Sequence, residues 1–167
     1  MIPSMEVIAT LTIPARLEKL ALVRHFVTSA AAALPCADEI IDDIILATDE
    51  AVTNIIVHGY EEKEGNICVT VCQEPDACVV ILADNAPAFN PNDAPRPDIN
   101  APLSARPLGG LGVHLIRHLM DELRYQQKSD GSNELILVKR LKRAEKTEGN
   151  SGNSQEFSGT RNLKPET

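Results

Sequence analysis

Residues 49–60, with the sequence DEAVTNIIVHGY, decide the fold that we expect for this chain. Glu50, Asn54 and His58 stand four residues apart, so on an α-helix they share one face. An acid, an amide and an imidazole on a largely apolar helix are costly to bury unless they have partners. A carboxylate can act as a base, and an amide oxygen can ligate a hard cation such as Mg2+. The stretch therefore predicts the wall of a binding site.

Length and composition favour one acidic domain. The chain has 167 residues, of which 43% are apolar, and this is enough to build a core. A net charge of -8 and a pI of about 5.0 argue against general nucleic-acid binding and against attraction to anionic membranes. No run of eighteen apolar residues and no signal-peptide pattern is present. We therefore expect a cytoplasmic protein with no direct nucleic-acid or membrane partner.

The four cysteines form no C-x-x-C pair. Cys68 and Cys72 stand four apart in a strand-like run, which places them on one face of the strand. Small thiols are common inside proteins, so reduced core cysteines are a better interpretation of this pattern than a metal or redox site.

The order of patterns along the chain is that of an α/β domain. Asp38 is the predicted N-cap of the second helix, and Gly59 is its predicted stop. The proline-rich stretch 85–107 is predicted to be a functional or disordered loop. Residues 1–143 are expected to form the domain, and 144–167 a disordered tail. The predicted elements are strands 5–13, 66–73, 77–84, 122–128 and 133–141, and helices 15–34, 38–57 and 109–120.

Asp84 closes an apolar strand and is the first of two further candidates for chemistry. An acid in this position can accept a hydrogen bond from a ligand amino group inside a pocket. An Asx-turn or a cap at the strand end is the structural alternative.

The second candidate is the glycine cluster of residues 107–116, PLGGLGVHLI, which runs into an amphipathic helix. Glycines expose backbone N–H groups, and a helix N-terminus carries a positive dipole, so the unit suits a phosphate. A flexible hinge would look the same. No G-K-[ST] follows, so it is not a P-loop, and its place after a long loop does not fit a Rossmann fingerprint.

These three segments, in this order, resemble the motifs of the GHKL ATPase superfamily, whose Bergerat fold is shared by gyrase, MutL and histidine kinases. Glu50-x-x-x-Asn54 resembles the N box, Asp84 with Phe89 the first glycine box, and residues 109–112 the second. The run from Glu50 to Tyr60 is similar to the anti-sigma-factor serine-protein kinases in particular. The resemblance covers residues 5–142. It implies an α+β fold, a two-layer sandwich with a mixed, mainly antiparallel sheet covered on one face by helices.

The resemblance also implies a role for individual residues. Glu50 would be the general base for a substrate serine, and Asn54 would bind the Mg2+ that bridges the nucleotide phosphates. Asp84 would accept a hydrogen bond from the adenine amino group, under a lid at about 90–108. Arg106 could place a guanidinium near the terminal phosphate, although surface arginines on lids are ordinary. The implied nucleotide-binding residues are Asn54, Asp84, Phe89, Arg106, Gly109, Gly110, Leu111 and Gly112.

One residue departs from the family pattern. The superfamily usually has a glycine two residues after the adenine-binding acid, but this chain has Ala86. A methyl group there could weaken ATP binding or merely alter the turn. His58 is better explained as a helix-end residue than as part of the site, because an imidazolium suits a helix C-terminus.

The leading hypothesis is an ATP-dependent serine-protein kinase that phosphorylates an anti-anti-sigma (STAS-type) protein and sequesters a sigma factor. The alternative is a non-catalytic regulatory module that binds nucleotide as a structural ligand, with Ala86 as its support. A metabolic ATPase or chaperone fragment would lack the domains that couple hydrolysis to work. The resemblance also implies a homodimer, and it assigns sigma-factor contacts to the first helix, whose polar positions also fit a solvated face.

Overall fold

A computed structural model describes residues 4–93, 98, 100 and 110–141 of the chain. Its strands form one sheet in the order β1-β2-β3-β5-β4, and all four pairings are antiparallel. The predicted α+β fold class is confirmed, and no parallel pair occurs among these strands. The elements are β1 (Glu6–Pro14), α1 (Leu20–Ala31), α2 (Asp38–Asn54), β2 (Asn66–Glu74), β3 (Ala77–Asp84), α3 (Gly110–Leu119), β4 (Glu122–Gln127) and β5 (Asn133–Arg140).

The main core lies between the helices and one face of the sheet. β2 and β3 are rich in valine and isoleucine, whose branched side chains suit a pleated surface. Alternate residues such as Val69, Val80 and Leu82 face the helices, where Ile44 and Val52 of α2 pack among them. Each such side chain contributes roughly 1.5–3 kcal/mol when it is fully buried. The helices are therefore held over one face of the sheet. The C-terminal end of β3 and the N-terminal end of β5, which pair with each other, lie beside α2 and α3.

The cysteines are free thiols, as predicted. Cys78 and Cys72 are both fully buried, in clusters on opposite faces of the sheet. Burial raises the pKa of the Cys78 thiol to about 12, so the thiol stays protonated and unreactive at neutral pH. Cys36 and Cys68 are half-buried, so only part of the predicted set belongs to the core.

The predicted first helix, 15–34, is wrong at both ends. A short 3-10 turn at Leu17–Lys19 precedes α1, which ends at Ala31. Asp38 is also not an N-cap. Ala37 occupies that position, and no side chain caps the helix. Asp38 is instead the first residue of α2, where a carboxylate still interacts favourably with the helix dipole.

The end of α2 differs most from its sequence prediction. Beyond Asn54 the chain continues as one turn of π-helix, Ile55–Tyr60, so Gly59 lies inside the helical segment. The helix ends at Glu61 and Glu62, which have φ angles of 50° and 65° in the left-handed region. A π-turn holds more residues than an α-turn, so the helical period changes beyond Asn54 and His58 lies in a segment of different period from Glu50.

The remaining predictions agree with the structure to within a few residues where they fall on described residues. The β4–β5 hairpin turns at Gly131, whose φ of 87° requires glycine-like freedom. The predicted loop contains a 3-10 turn at Pro91–Asp93, while most of 94–109 and the predicted tail 144–167 lie outside the described residues. In the part of the chain that the structure describes, no helix has the length and apolar character that crossing a bilayer would need.

Polar side chains tie the helices to each other and to the sheet. The Lys139 ammonium of β5 donates to Asp43 Oδ2 at 2.8 Å and also to the carbonyl of Leu119, the last residue of α3. Arg24 of α1 pairs with Asp49 of α2 at 2.8 Å. These bonds fix α2 and α3, which carry the candidate site, against β5.

Candidate functional site

A cavity lies where α2 and α3 cross the ends of β3 and β5. Its walls are mostly apolar, with a few polar groups, which is the usual character of a small-molecule site. Asn54 and Asp84, predicted from separate segments of the sequence, line this same cavity. The lining residues are Ala51, Asn54, Ile55, Gly59, Asp84, Ala86, Pro87, Phe89, Pro91, Ile116, Tyr125, Asn133 and Leu135.

Asp84 is held in a fixed orientation at the end of β3, where its side chain is only 6% exposed. Its Oδ1 atom accepts hydrogen bonds from the Ala86 amide and from Asn133 Nδ2, both at 2.9 Å. The Tyr60 hydroxyl accepts from the Asn85 amide at 3.0 Å and donates to the Asn66 carbonyl at 2.8 Å. The Asx-turn that the sequence left as an alternative is therefore present. It occupies one carboxylate oxygen and leaves the other for a ligand.

Glu50 and Asn54 converge on the start of α3. A Cβ atom built on Gly112 would lie 2.9 Å from Glu50 Oε2 and 3.3 Å from Asn54 Nδ2. A side chain at this position would therefore displace the Glu50 carboxylate and press on the Asn54 amide, whereas glycine lets both approach the backbone of α3. Gly112, one of the glycines predicted to admit phosphates, thus lies directly against the acid and the amide.

The other predicted site residues do not all line the cavity. Phe89 lines the cavity, is 41% exposed, and has its ring centroid 6.4 Å from that of His58. His58 is exposed in the last helical turn, as expected of a helix-end residue. Gly110 is the first residue of α3, and Leu111 is 44% exposed. Arg106 and Gly109 lie outside the described residues.

Asn133 and Tyr125 are polar lining residues that the sequence did not single out. The Tyr125 hydroxyl donates to Asn133 Oδ1 at 2.9 Å. Burial and then the nearby Asp84 charge raise the pKa of Tyr125, while a backbone hydrogen bond from Phe89 acts against that rise. The phenol therefore stays protonated and can donate. Asn133 follows the Asp130-Gly131 turn, but only the β3–β5 pairing, which sequence spacing does not reveal, places it opposite Asp84.

The arrangement can bind a flat, apolar group with an amino substituent and hold an anionic tail. The apolar walls suit a base ring, and the free oxygen of Asp84 can accept its amino hydrogen. The N-terminus of α3 presents backbone N–H groups and positive dipole beside Asn54. These are the parts that binding of a purine nucleotide requires.

Comparison with known proteins identifies the class to which this fold and site belong. The family model for the histidine kinase-like ATPase domain matches residues 13–139. The chain belongs to the histidine kinase-like ATPase domain family.

Similar proteins within the family are serine-protein kinases. The chain is 33% identical to serine-protein kinase RsbW of Bacillus cereus (strain ATCC 10987 / NRS 248) over 135 residues, which cover 78% of this chain and 83% of that protein. It is 32% identical, over the same shares, to serine-protein kinase RsbW of Bacillus mycoides (strain KBAB4). These relatives place the chain among the serine-protein kinases of its family.

A solved structure of similar fold contains the RsbU and RsbW domains of Rv1364c from Mycobacterium tuberculosis. The TM-score is 0.55 at 21% identity, and the match covers 80% of this chain and 32% of that one. The present chain thus spans about a third of that longer protein's length. At this identity the likeness concerns the fold alone.

Ala86, the departure from the family pattern, packs against a residue that has no side chain. Ala86 is 5% exposed, and a Cβ atom built on Gly59 would lie 3.0 Å from the Ala86 Cβ. Positions 59 and 86 therefore share room for one methyl group. The π-turn brings Gly59 to this place, so the structure offers a local reason why alanine is accommodated here.

We expect Gly59→Ala to lower the free energy of unfolding by about 1–2 kcal/mol, because two methyl groups would then overpack one space. The double variant with Ala86→Gly should be as stable as the wild type or more stable. The methyl clash is then relieved, and alanine at position 59 favours the helix over glycine by about 1 kcal/mol. Urea unfolding of the wild type, both single variants and the double variant measures the coupling. Purely additive effects of the two changes would show that the positions do not compete for space.

Proposed function

We propose that the chain is an ATP-dependent serine-protein kinase, with an anti-anti-sigma protein of the STAS type as its substrate. The observation that carries the proposal is the convergence of Glu50 and Asn54 on Gly112, next to a cavity that ends at Asp84. Phosphoryl transfer needs alignment, a cation and a positioned base more than covalent chemistry from the protein. This site offers groups for each of those tasks.

Glu50 acts in this proposal as the general base. It accepts the proton of the substrate serine as the serine oxygen forms a bond to the terminal phosphorus of ATP and the bond to the ADP oxygen breaks. Asp84 accepts the adenine amino hydrogen through its free oxygen, and the α3 backbone amides near Gly112 receive the phosphates. Phe89 and Leu111 would add apolar contacts to the nucleotide. The predicted lid, 90–108, lies mostly outside the described residues.

Asn54 is the residue that would hold Mg2+. Its amide lies against Gly112, where a Cβ atom would come within 3.3 Å of Nδ2 and 3.5 Å of Oδ1. In the described ranges, no three His, Cys, Asp or Glu side chains are grouped so that they could hold a metal ion. A single amide oxygen from Asn54 fits Mg2+, because this ion keeps several waters and substrate phosphates and takes only one or two protein oxygens. When bound, the ion would neutralise charge on the transferring phosphoryl group.

Sequestration of a sigma factor and dimerisation belong to the same proposal. The relatives are protein kinases, and the resemblance of this chain to the anti-sigma-factor kinases supports a homodimer. Phosphorylation of the anti-anti-sigma protein releases it from the kinase, which is then free to hold the sigma factor. α1 and the turn before it are the proposed contact surface, with Arg16, Glu18 and His25 as its exposed polar positions. Arg24 is already paired with Asp49. These partners act on cytoplasmic transcription, so we place the protein in the cytoplasm.

Incubation with labelled ATP, Mg2+ and a candidate STAS-type partner tests the kinase activity directly. We expect label on the partner, and no label on a partner variant whose acceptor serine is replaced by alanine. Retained ATP binding without any serine labelling would favour the non-catalytic module instead. Light scattering gives the molar mass of the chain alone and of its mixture with a candidate sigma factor. These masses show whether the chain is a dimer and whether it binds sigma.

A further inference from the structure

Asn133 is a buried amide without a role in the proposal above. It is the first residue of β5, is 3% exposed, and pairs directly with Asp84 across the β3–β5 ladder. Its Nδ2 atom donates to Asp84 Oδ1 at 2.9 Å and to the Ala86 carbonyl at 2.8 Å. One amide thus bridges the acid and the turn that follows it.

Both N–H donors of this amide are used, and its oxygen accepts one hydrogen bond. Both partners of Nδ2 can only accept, which fixes the NH2 end of the side chain toward them. The oxygen end accepts from the Tyr125 hydroxyl at 2.9 Å. Because Tyr125 lies on β4 and Asp84 on β3, the amide joins three strands at the mouth of the cavity. Such a connected polar network resists rotation of its members.

The hydrogen bonds to Oδ1 leave the second oxygen of Asp84, Oδ2, to be considered. Two donors, Ala86 N and Asn133 Nδ2, converge on Oδ1, and no described residue donates to Oδ2. No fully buried side-chain polar atom lacks a partner in the described part of the chain, so Oδ2 is not sealed inside the protein. Asp84 lines the cavity, and Oδ2 is the oxygen to which no described residue donates.

We propose that Asn133 is the positioning residue of the adenine-binding acid. By holding Oδ1 and the Ala86 carbonyl together, it directs Oδ2 of Asp84 toward the amino group of the base. Tyr125 supports Asn133 through its hydrogen bond to Asn133 Oδ1. The inference rests on the proposed ATP binding and adds to it a determinant of nucleotide affinity on β5, a strand that carries no family motif identified in the sequence.

Asn133→Asp tests this role, because it replaces the donor with a second carboxylate of the same shape. Two carboxylates in hydrogen-bond contact repel each other unless they share a proton. At pH 8 we expect ATP to bind about 30-fold more weakly than to the wild type, since Asp84 is pushed from its position. At pH 5.5 a shared proton restores the bridge, so the ratio of the two affinities should fall to about threefold.

At each pH, the quantity to compare is the ATP affinity of Asn133→Asp relative to that of the wild type. Other titratable groups near Asp84 are the phenols of Tyr60 and Tyr125 and the imidazole of His58 beside Phe89. Both proteins carry them, as both bind the same titrating nucleotide, so their effects cancel in the ratio. Isothermal titration calorimetry with ATP and Mg2+ gives the affinities, and circular dichroism checks folding.

Gln73→Glu is the matched control. It makes the same amide-to-acid change on β2, opposite Cys78 and about 20 Å along the strand from the residue that pairs with Asp84. We expect the ATP affinity of this variant to stay close to that of the wild type at both pH values. Tyr125→Phe is the second variant, in case Asn133→Asp does not fold. Loss of one hydrogen bond to Asn133 Oδ1 should weaken ATP binding about threefold.

The outcomes separate this inference from the proposed function. A wild-type chain that binds no ATP overturns both. Wild-type binding with an unchanged affinity for folded Asn133→Asp, or with an equal loss at both pH values, overturns the positioning role alone. If Asn133→Asp does not fold, an unchanged affinity for Tyr125→Phe overturns it.

Discussion

Glu50→Gln is expected to lower the rate of serine phosphorylation about 10²–10⁴-fold, the usual contribution of a general base. Glutamine keeps the size of the side chain and its close approach to Gly112, where a Cβ atom would lie 2.9 Å from the acid oxygen. It removes only the ability to accept the serine proton. Nucleotide affinity should change little, because the role proposed for Glu50 is to accept the serine proton and not to hold the nucleotide. Single-turnover transfer from labelled ATP to the partner measures the rate.

Glu39→Gln supplies the control for this experiment. Glu39 lies in the first turn of the same helix, is exposed, and its replacement makes the same change in charge far from Gly112. Transfer by this variant should match the wild type. An unchanged rate for Glu50→Gln would mean that another group accepts the proton, even if the chain remains a kinase. A parallel loss of ATP binding would instead assign Glu50 to the nucleotide site.

The strands were predictable because their chemistry is local. Alternating branched residues and the Glu74-Pro75-Asp76 turn indicated β2 and β3 to within one residue. The order of strands in the sheet was not predictable from these patterns. β5 inserts between β3 and β4, and this pairing alone brings Asn133 to Asp84. The sequence therefore predicted the acid at the site but not the amide that holds it.

The candidate site was predictable to the extent that its residues lie in one helix or one turn. Glu50 and Asn54 are a single helical turn apart, so their shared face followed from spacing. His58 was correctly expected near the end of the helix, but the π-turn in which it lies has no clear signal in the residues. The same turn brings Gly59 to Ala86, a contact that explains the unusual alanine. Spacing rules assume one helical period and fail where the period changes.

Asp84→Asn is expected to weaken ATP binding at least about 100-fold, or about 2.8 kcal/mol, with little change in stability. The asparagine oxygen can still accept from the Ala86 amide and from Asn133, so the turn is preserved. Its NH2 group must then occupy the place of the free carboxylate oxygen and face the adenine amino group. Two donors would meet where a donor and an acceptor met before.

The same reversal predicts a change in base preference. A guanine presents a carbonyl oxygen where adenine presents its amino group, and the NH2 of the variant can donate to that oxygen. We therefore expect the ratio of ATP to GTP affinity to fall in Asp84→Asn, a change that general damage to the pocket would not produce. Titration calorimetry with both nucleotides measures the ratio, and thermal unfolding checks that the fold is intact.

Asp42→Asn is the appropriate comparison, since Asp42 is an exposed acid of α2 that does not line the cavity. It removes the same charge, so any general effect of net charge on binding of an anionic nucleotide appears in both variants. Subtracting that shared effect leaves the contribution of the hydrogen bond from the base. Wild-type ATP affinity in Asp84→Asn would show that the buried acid serves the β3 turn only and that the adenine end lies elsewhere in the cavity.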